Sequence, residues 1–346
     1  MKWTSALVFI GLFLVVGAFC LWMEFPVKQS PRITALPQTP SQMAIAPPTP
    51  PPAAVPRESE EETFSVNLLD LLPEDHLTLI QIQNLESKKT MKLMADQDGW
   101  QIKFPVQDTA DPAKMENLLH GLLAAQKLRQ MKPEKGWDEY GLARPRLKIG
   151  LETAKKQGRR YLYLGNLSPV DNVLFARWED EKTYFLLPVS FQGLFEQSVY
   201  DMREKRLFLK NGETPRSLRL HAPTGDYEIE NQGVQWVWKD PEAMRWQPCP
   251  AGDAEALLEK LRGLFVKDFL ETISEEESGL TQTGTRITVG LSQTKTEVLE
   301  VGKEADVRDA FYAKTDQGKG VLVARDKLNA FFDLFRSLAA QTLGQA

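Results

Sequence analysis

The residues best suited to chemistry in this sequence are four carboxylates that follow one another closely. They are Asp96, Asp98, Asp108 and Asp111. Carboxylate oxygens at short spacing suit a hard cation such as Ca²⁺ or Mg²⁺. However, Asp98-Gly99 is also typical of a hairpin turn, and Asp111-Pro112 is typical of a helix N-terminus. We therefore expect turn and capping roles here and predict no metal site.

The histidines and cysteines do not suggest a catalytic or zinc site. His76, His120 and His221 are widely spaced, and Cys20 and Cys249 are far apart in the chain, so neither a zinc cluster nor an internal disulfide follows from their spacing. The sequence also lacks the motifs of serine hydrolases, zinc proteases, P-loop enzymes and dinucleotide-binding folds. We predict no catalytic residues, no cofactor and no enzymatic activity.

The second half of the chain is rich in tryptophan. Trp236 and Trp238 alternate on a predicted strand and share one of its faces, and Trp246 follows. This face is expected either to stack a sugar ring or a partner's side chain, or to form a core strand. If a ligand site exists, Trp238 and Trp246 are its candidate residues.

A cationic segment links the two halves of the chain. Its sequence DMREKRLF, residues 201–208, contains Arg203, Lys205 and Arg206. These cations could contact a partner or anionic lipid. We favour a structural role, in which they cap the preceding helix and form salt bridges between the two halves.

The N-terminus predicts a membrane anchor. Residues 6–23, ALVFIGLFLVVGAFCLWM, carry no charge and reach the minimum length for crossing a bilayer core of about 30 Å. Trp3 and Trp22 fall near the two interfaces. A cleaved signal peptide is the alternative, but its apolar core is shorter and ends in a small-x-small site. We expect residues 3–23 to cross the inner membrane once, with a cytoplasmic N-terminus and a periplasmic or otherwise extracytoplasmic bulk.

A proline-rich linker follows the anchor. Ten of the 22 prolines lie between Pro26 and Pro56, and the acidic residues Glu58 to Glu62 follow them. Proline fixes φ and lacks a backbone donor, so a polyproline II spacer is expected. The net charge of −5 argues against a nucleic-acid partner, which requires a cationic surface.

The remainder of the sequence repeats itself. The segment RLKIGL at 146–151 returns as RITVGL at 286–291, and LYLG at 162–165 returns as LEVG at 299–302. Matches continue in the same order from WQIKFP at 100–105 and WVWKDP at 236–241. The predicted organisation is an anchor at 1–25, a linker at 26–63, and tandem repeats at 64–205 and 206–346.

Each repeat predicts the same elements. Short alternating strands precede a helix, about four further strands follow, and a second helix ends the repeat. Asp111 and Asp253 are the predicted helix caps, and Gly318-Lys319-Gly320 is a predicted hairpin tip. The predicted fold class is α+β, with two homologous repeats of mainly antiparallel sheet and two helices each.

These motifs resemble the domain of unknown function 4340 family over about residues 70–325. The similarity rests on Gly99-Trp100, Tyr140-Gly141-Leu142 with Pro145, Leu164-Gly165, the repeated aromatic-Ala-cation strand, and the Asp201, Arg203 and Lys205 run. Ser278-Gly279-Leu280 departs from the Tyr-Gly-Leu pattern in the second repeat. The resemblance implies a bacterial, membrane-anchored protein encoded with the permease, ATPase and auxiliary membrane protein of an ABC-type exporter.

Together these observations predict a non-enzymatic accessory subunit of an ABC-type transport complex. The alternative is a module that binds glycan or another envelope ligand through the tryptophans of the second repeat.

Overall fold

The computed structural model describes residues 66–69, 75–155, 158–169, 171–210, 212–239, 245–305 and 308–343. The predicted anchor and proline-rich linker lie outside these residues. Within the described ranges, no helix combines the length and apolar character needed to cross a membrane.

The first half of the chain builds a nine-stranded antiparallel sheet and a small two-stranded one. Their strands are β1 (Val66–Asn67), β2 (Leu77–Asn84), β3 (Lys89–Asp96), β4 (Gly99–Phe104), β5 (Asp108–Thr109), β6 (Gln126–Lys127), β7 (Gln130–Met131), β8 (Leu147–Thr153), β9 (Arg160–Leu167), β10 (Val173–Trp178) and β11 (Tyr184–Pro188). The helices are α1 (Pro112–Ala124), α2 (Ser190–Gly193) and α3 (Val199–Met202). The large sheet has the order β5-β4-β3-β2-β8-β9-β10-β11-β7, and β1 pairs with β6.

The second half builds another nine-stranded antiparallel sheet. Its strands are β12 (Ser217–Ala222), β13 (Gly225–Asn231), β14 (Trp236–Lys239), β15 (Trp246–Pro248), β16 (Val266–Leu270), β17 (Thr285–Gly290), β18 (Thr296–Ala305), β19 (Ala310–Thr315) and β20 (Gly320–Ala324). Its helices are α4 (Ala251–Arg262), α5 (Glu275–Ser278), α6 (Leu280–Thr283) and α7 (Arg325–Leu343). The strand order is β15-β14-β13-β12-β17-β18-β19-β20-β16.

The two large sheets have the same strand order, position for position. The repeated phrase forms β8 in one sheet and β17 in the other, and both strands occupy the central position. The mainly antiparallel α+β architecture predicted from the sequence is therefore confirmed. The boundaries assigned to the repeats stay predictions.

Each sheet has a separate hydrophobic core. Alternate strand residues such as Ile80, Ile149 and Leu162 pack with Met115, Leu118 and Leu122 of α1 in the first core. In the second core, Ile287, Val289 and Leu299 pack with side chains of α4 and α7, including Leu257, Leu261, Phe331 and Phe335. Because strand side chains alternate between faces, the residues between these core positions lie on the other face of each sheet.

The predicted turn and cap roles of the aspartates are largely confirmed. Asp111 accepts hydrogen bonds from the backbone N–H groups of Ala113 and Lys114 and so caps α1. At the β3–β4 hairpin, the acceptor is Asp96, which receives the N–H of Asp98 at 3.0 Å. Gly99 supplies the positive φ of +106° that the turn requires. Nowhere in the described ranges do His, Cys, Asp and Glu side chains form a group able to hold a metal ion.

Two helix predictions are wrong. Asp253 does not cap α4, because the helix begins at Ala251 after Pro250, and Asp253 lies in its first turn, where a carboxylate interacts favourably with the helix dipole. The helix predicted around Phe191 and Phe195 has only four residues, α2. The apolar positions there cover a single turn, and the chain then turns into α3.

One glycine motif explains the Tyr-Gly-Leu and Leu-Gly steps. Gly141, at φ +68°, turns the chain so that the carbonyl of Tyr140 lies against Gly165 of β9. A Cβ at Gly165 would overlap that oxygen, and the N–H of Asn166 donates to it at 2.9 Å. Both family motifs are therefore two sides of one backbone contact.

The second repeat makes the same backbone contact with a different sequence. Gly279, at φ +58°, places the Ser278 carbonyl against Gly302 of β18. The substitution of Ser278 for a tyrosine leaves this contact unchanged because only the backbone of that residue takes part.

Candidate functional site

The most distinctive surface lies on the open face of the first sheet, opposite the α1 core. We call it the aromatic face. It consists of Trp137, Tyr140, Tyr161, Tyr163, Phe175 and Tyr184, with the cations Lys148 and Arg177 between them.

The strand period places these side chains together. Tyr161 and Tyr163 alternate with Leu162 and Leu164, which are buried in the core. Tyr163 pairs with Lys148 of β8 on one side and with Arg177 of β10 on the other. Three neighbouring strands thus present their polar-side residues on one surface.

Lys148 is held among the tyrosines. Its Nζ lies 3.9 Å from the centroid of the Tyr161 ring and 5.2 Å from that of Tyr163. It also donates to the Tyr163 hydroxyl and to Glu179, each at 3.3 Å. Burial opposes the charged form, but these hydrogen bonds outweigh it and raise the pKa of Lys148. The lysine therefore stays cationic on this surface.

Tyr163 and Glu179 complete the network around this lysine. The Tyr163 hydroxyl donates to Glu179. This hydrogen bond is the main reason that the pKa of Glu179 is lowered, while burial and the neighbouring carboxylate raise the pKa of Tyr163. At neutral pH the network consists of a protonated tyrosine, a carboxylate and an ammonium group.

Arg177 is stacked rather than paired with an acid. Its guanidinium carbon lies 4.7 Å from the Trp137 ring centroid and 4.8 Å from that of Tyr163. Its Nη1 donates to the backbone oxygens of Trp178 and Glu179 at 3.4 and 3.3 Å. Its Nε is buried without a hydrogen-bond partner. Within the described residues Arg177 forms no salt bridge, although its charge helps to lower the pKa of Glu179, and a stacked guanidinium can still contact an anionic group.

Gly150 leaves space on the aromatic face for two neighbouring side chains. A Cβ at this position would lie 2.5 Å from Cδ of Arg159 and 2.8 Å from Cε1 of Tyr161. The absence of a side chain lets both residues lie across β8. The glycine of RLKIGL is thus needed by the surface as well as by the strand.

The far end of the aromatic face is a cluster of three rings. Tyr140 stacks on Tyr184 with ring centroids 4.5 Å apart, and Phe175 meets both rings edge-on at 5.1 and 5.7 Å. Burial, aided by the contact with Tyr140, raises the pKa of Tyr184 to about 12. The Tyr184 side chain therefore stays neutral at any physiological pH.

The equivalent face of the second sheet has a different character. In the aligned repeat sequences, Thr288 replaces Lys148 and Glu300 replaces Tyr163. These two residues are not paired as Lys148 and Tyr163 are, because Thr288 pairs with Val298 and Glu300 pairs with Arg286. Ion pairs cover this face: Arg219 with Glu228 at 2.5 Å and Arg286 with Glu300 at 2.9 Å. These charges are paired and exposed to solvent at one part of the face. A small apolar cluster of Ala305, Ala310 and Leu322, with Tyr312 against it, lies on the same face farther along.

The tryptophans predicted as ligand contacts do not form one site. Trp238 is only 3% exposed and belongs to the second core, which corrects its assignment as a contact residue. Trp246 is 40% exposed. In the β14–β15 register, Trp238 pairs with Gln247 and Trp246 pairs with Lys239, so the two indoles lie on opposite faces. They cannot stack on one ligand.

The predicted linker cations are engaged within the chain. Arg203 donates to Asp108 at 2.5 Å and lies 3.3 Å from the Phe269 ring centroid. Arg206 pairs with buried Glu204 at 2.6 Å.

Lys205 donates to the carbonyl of Asp201 at 3.1 Å and lies 4.6 Å from the Tyr200 ring centroid. These contacts place Lys205 at the end of α3, and those of Arg203 join the first repeat to the second. They fit the structural role favoured from the sequence, and a partner or lipid contact at these cations stays untested.

Comparison with known proteins identifies the family. The family model described as a domain of unknown function, DUF4340, matches residues 100–283, which is more than half of the chain. The chain belongs to the DUF4340 family. No curated protein and no solved structure matches it significantly.

The DUF4340 match begins in β4 and ends in α6. It is shorter than the expected 70–325 and includes parts of both repeats. Within it lie the Tyr140-Gly141-Leu142 and Leu164-Gly165 steps, whose roles in this structure are backbone contacts. Most of the aromatic face of this DUF4340 protein also falls within the match.

The sequence contained a signal for the aromatic face that the tryptophan-based prediction missed. Tyr161 and Tyr163 alternate with leucines, and Phe175 and Arg177 alternate with buried residues in the next strand. Aromatic residues on the polar side of two consecutive strands indicate a partly exposed aromatic surface, and Tyr161, Tyr163 and Phe175 are half-buried here.

Proposed function

We propose that this protein is a non-enzymatic accessory subunit of an ABC-type transport complex, anchored in the inner membrane with its two repeats outside the cytoplasm. The uncharged N-terminal segment and the proline-rich linker support the anchor and spacer. The family resemblance supports the transport context. We further propose that the two repeats arose by duplication, as their matching phrases and strand orders suggest.

The aromatic face is the observation that carries the proposal. Tyrosine, tryptophan and arginine are enriched at protein–protein interfaces and among the residues that dominate binding energy. Here such residues cluster on one open sheet face, whereas the same face of the second sheet carries paired charges. The partner surface of the subunit is therefore the aromatic face.

Site-specific photo-crosslinking in native membranes tests this proposal. A benzoylphenylalanine replaces Tyr161 in the full-length protein, which carries a C-terminal affinity tag. The matched control carries the same group at Val298, the equivalent position of β18 in the second sheet. We expect the Tyr161 variant to crosslink to a permease or auxiliary subunit, and the Val298 variant to give little adduct.

Two results would contradict the proposal. One is an equal yield of the same adduct from both positions, which would remove the special role of the aromatic face. The other is purification of the uncrosslinked, full-length protein without permease, ATPase or auxiliary components.

The alternative function, binding of an envelope glycan through the second repeat, has lost one of its two residues because Trp238 is buried. Glycan binding would instead be tested with purified cell-wall fragments, where retention abolished by Trp246→Ala would favour it.

A further inference from the structure

A second concave surface lies between the repeats. We call it the inter-repeat groove, and its volume is about 870 Å³. The first repeat contributes residues of β4, β5 and α1. The second repeat contributes the turn before β18, the β19–β20 turn and the preceding linker. Small-molecule sites fall in this size range and often lie between domains.

One wall of the inter-repeat groove is apolar. Trp100 and Ile102 of β4 lie beside Met115, Leu119 and Leu123 of α1. Leu123 is 51% exposed, although it follows the buried stripe of its helix. Ile102 and Met115 are buried in the core, so Trp100, Leu119 and Leu123 are the side chains of this wall that offer apolar area to a ligand.

The groove carries more carboxylates than lysines, and both repeats contribute carboxylates. Seven carboxylates and four lysines line the whole groove. Several of these are neutralised locally: Asp108 by Lys319 and Arg203, Asp96 by Lys103, and Lys295 by Glu213.

The lining residues without an ion pair in the described ranges are mostly acidic. They are Asp98, Glu116, Glu297 and Asp316, with Lys210 as the corresponding cation. The unpaired charge in the groove is therefore negative, which favours a cationic ligand.

Glu297 is the most constrained of these acids. Its Oε2 accepts the N–H of Leu209 at 2.8 Å, which fixes the carboxylate at the groove. Burial raises the pKa of Glu297, and Glu213 and Asp316 act in the same direction, while the Leu209 N–H and the charge of Lys210 partly oppose them. A ligand cation would offset both effects by replacing lost solvation and by screening the other acids.

We propose that the inter-repeat groove binds a small amphipathic cation, with an ammonium group at Glu297 and an apolar body along α1 and β4. The charge of the groove selects the ammonium group, and the apolar wall selects the attached hydrocarbon or aromatic group. The site is distinct from the aromatic face and does not depend on its proposed partner.

Calorimetric titration of the full-length protein in phosphatidylcholine nanodiscs tests this site. The probe is hexyltrimethylammonium, with empty nanodiscs as the reference. Tetramethylammonium lacks the apolar body, and hexyl sulfate reverses the charge. We expect saturable binding of the hexyl cation, weaker binding of tetramethylammonium and none of hexyl sulfate.

Two variants locate the bound probe. Glu297→Gln keeps an acceptor for Leu209 but removes the charge, and we expect it to weaken binding about tenfold. Leu123→Ala shortens an exposed side chain and should weaken binding a few-fold. Glu300→Gln is the control, because Glu300 lies on the same strand but pairs with Arg286 on the open sheet face.

The proposal is overturned if hexyltrimethylammonium does not bind, if hexyl sulfate binds equally well, or if both Glu297→Gln and Leu123→Ala leave the affinity unchanged. Because Leu123 is exposed, its variant gives a result even if the Glu297 variant folds poorly.

Discussion

At the scale of single residues, two glycines hold the same place in the two repeats. Gly165 and Gly302 each lie against a backbone carbonyl, that of Tyr140 in one case and that of Ser278 in the other. A backbone carbonyl cannot move aside as a flexible side chain can. This explains why the glycines persist where the neighbouring side chains differ.

We predict that Gly165→Ala and Gly302→Ala each lower the free energy of unfolding by about 2–3 kcal/mol, because the new Cβ forces the backbone apart. Urea titration followed by circular dichroism measures the change. Gly193→Ala is the matched control, since a Cβ there meets no atom within 4 Å. Equal effects at Gly193 and Gly165 would show that the carbonyl contact is unimportant.

Glu297 gives a pH-dependent prediction. Its pKa in the folded protein lies above its ordinary value, so its contribution to stability is present at pH below about 4.5 and is lost as pH rises through the folded pKa. Glu297→Gln removes this loss. We expect the variant to be more stable than the native protein at pH 7, by about 0.5–1 kcal/mol after allowance for partial exposure.

This difference should vanish near pH 3.5, where the native carboxyl is protonated. Thermal unfolding at the two pH values measures it. Lower stability of the variant at pH 7 would mean that the carboxylate makes a favourable contact stronger than its loss of solvation.

At the scale of secondary-structure elements, Asp108 joins three parts of the fold. It lies in β5 and receives Arg203 from the linker and Lys319 from the β19–β20 turn. Its side chain is only 4% exposed. Loss of both cationic partners would leave the buried Asp108 carboxylate without compensation, and loss of Asp108 would leave both cations unpaired.

We predict that Asp108→Asn costs about 3 kcal/mol of stability, since it leaves two cations without their shared carboxylate. Lys319→Met should cost less, because Arg203 still neutralises Asp108. Lys327→Met is the control: its pair with Asp326 is exposed and spans 3.6 Å, so its removal should change stability by about 0.5 kcal/mol or less. Chemical denaturation of the three variants orders these effects.

The sequence was most informative where contacts are local. The β3–β4 hairpin and the Asp111 cap depend on residues close together in the chain, and both were predicted. Asp108 was grouped with the turn and cap residues. Its true partners, Arg203 and Lys319, lie 95 and 211 residues away in the chain and could not be identified from its sequence neighbours. Local sequence patterns do not predict contacts between residues so far apart in the chain.

Strand register explains the main error at the candidate site. Trp238 and Trp246 are close in sequence, and the residues between them do not reveal how β14 pairs with β15. A shift of one residue in that pairing reverses the faces of the side chains. The aromatic face was more accessible to prediction because its alternation lies within individual strands.

At the scale of the whole described fold, the cationic segment 201–208 pairs with elements of both repeats. Arg203 forms a bridge with Ala110 of the first repeat, and Arg206 forms one with Phe265 of the second. The hydroxyl of Tyr200 also donates to the carbonyl of Lys267 at 2.9 Å. Because this short segment forms backbone bridges and a hydrogen bond with both repeats, unfolding of one repeat should destabilise the other.

We therefore predict that the two repeats unfold together. Hydrogen exchange measured by mass spectrometry should give similar opening free energies for peptides from β8 and β17. In Asp108→Asn the two values should separate, because the coupling between repeats is weakened. Clearly different values in the native protein would show that the repeats open independently.

The contact between the repeats uses unlike surfaces. The first repeat offers Asp108 of β5 and Arg203 beyond α3, and the second offers Lys319 of the β19–β20 turn and Phe269 of β16. Such a contact has a direction, unlike a two-fold interface in which each copy offers the same patch. The β14–β15 edge of the second repeat, with exposed Trp246, corresponds in position to the edge that the first repeat uses.

The use of different surfaces by the two repeats has an evolutionary consequence. In a two-fold arrangement both halves use the same patch, so a substitution in that patch alters both sides of the interface, and the two halves constrain each other. In the present arrangement, each half meets its own requirements, so selection acts on them separately. Gln247 occupies the position of Asp108, and Glu300 replaces Tyr163 in the aligned sequences, because the two repeats share a strand order but not their interfaces.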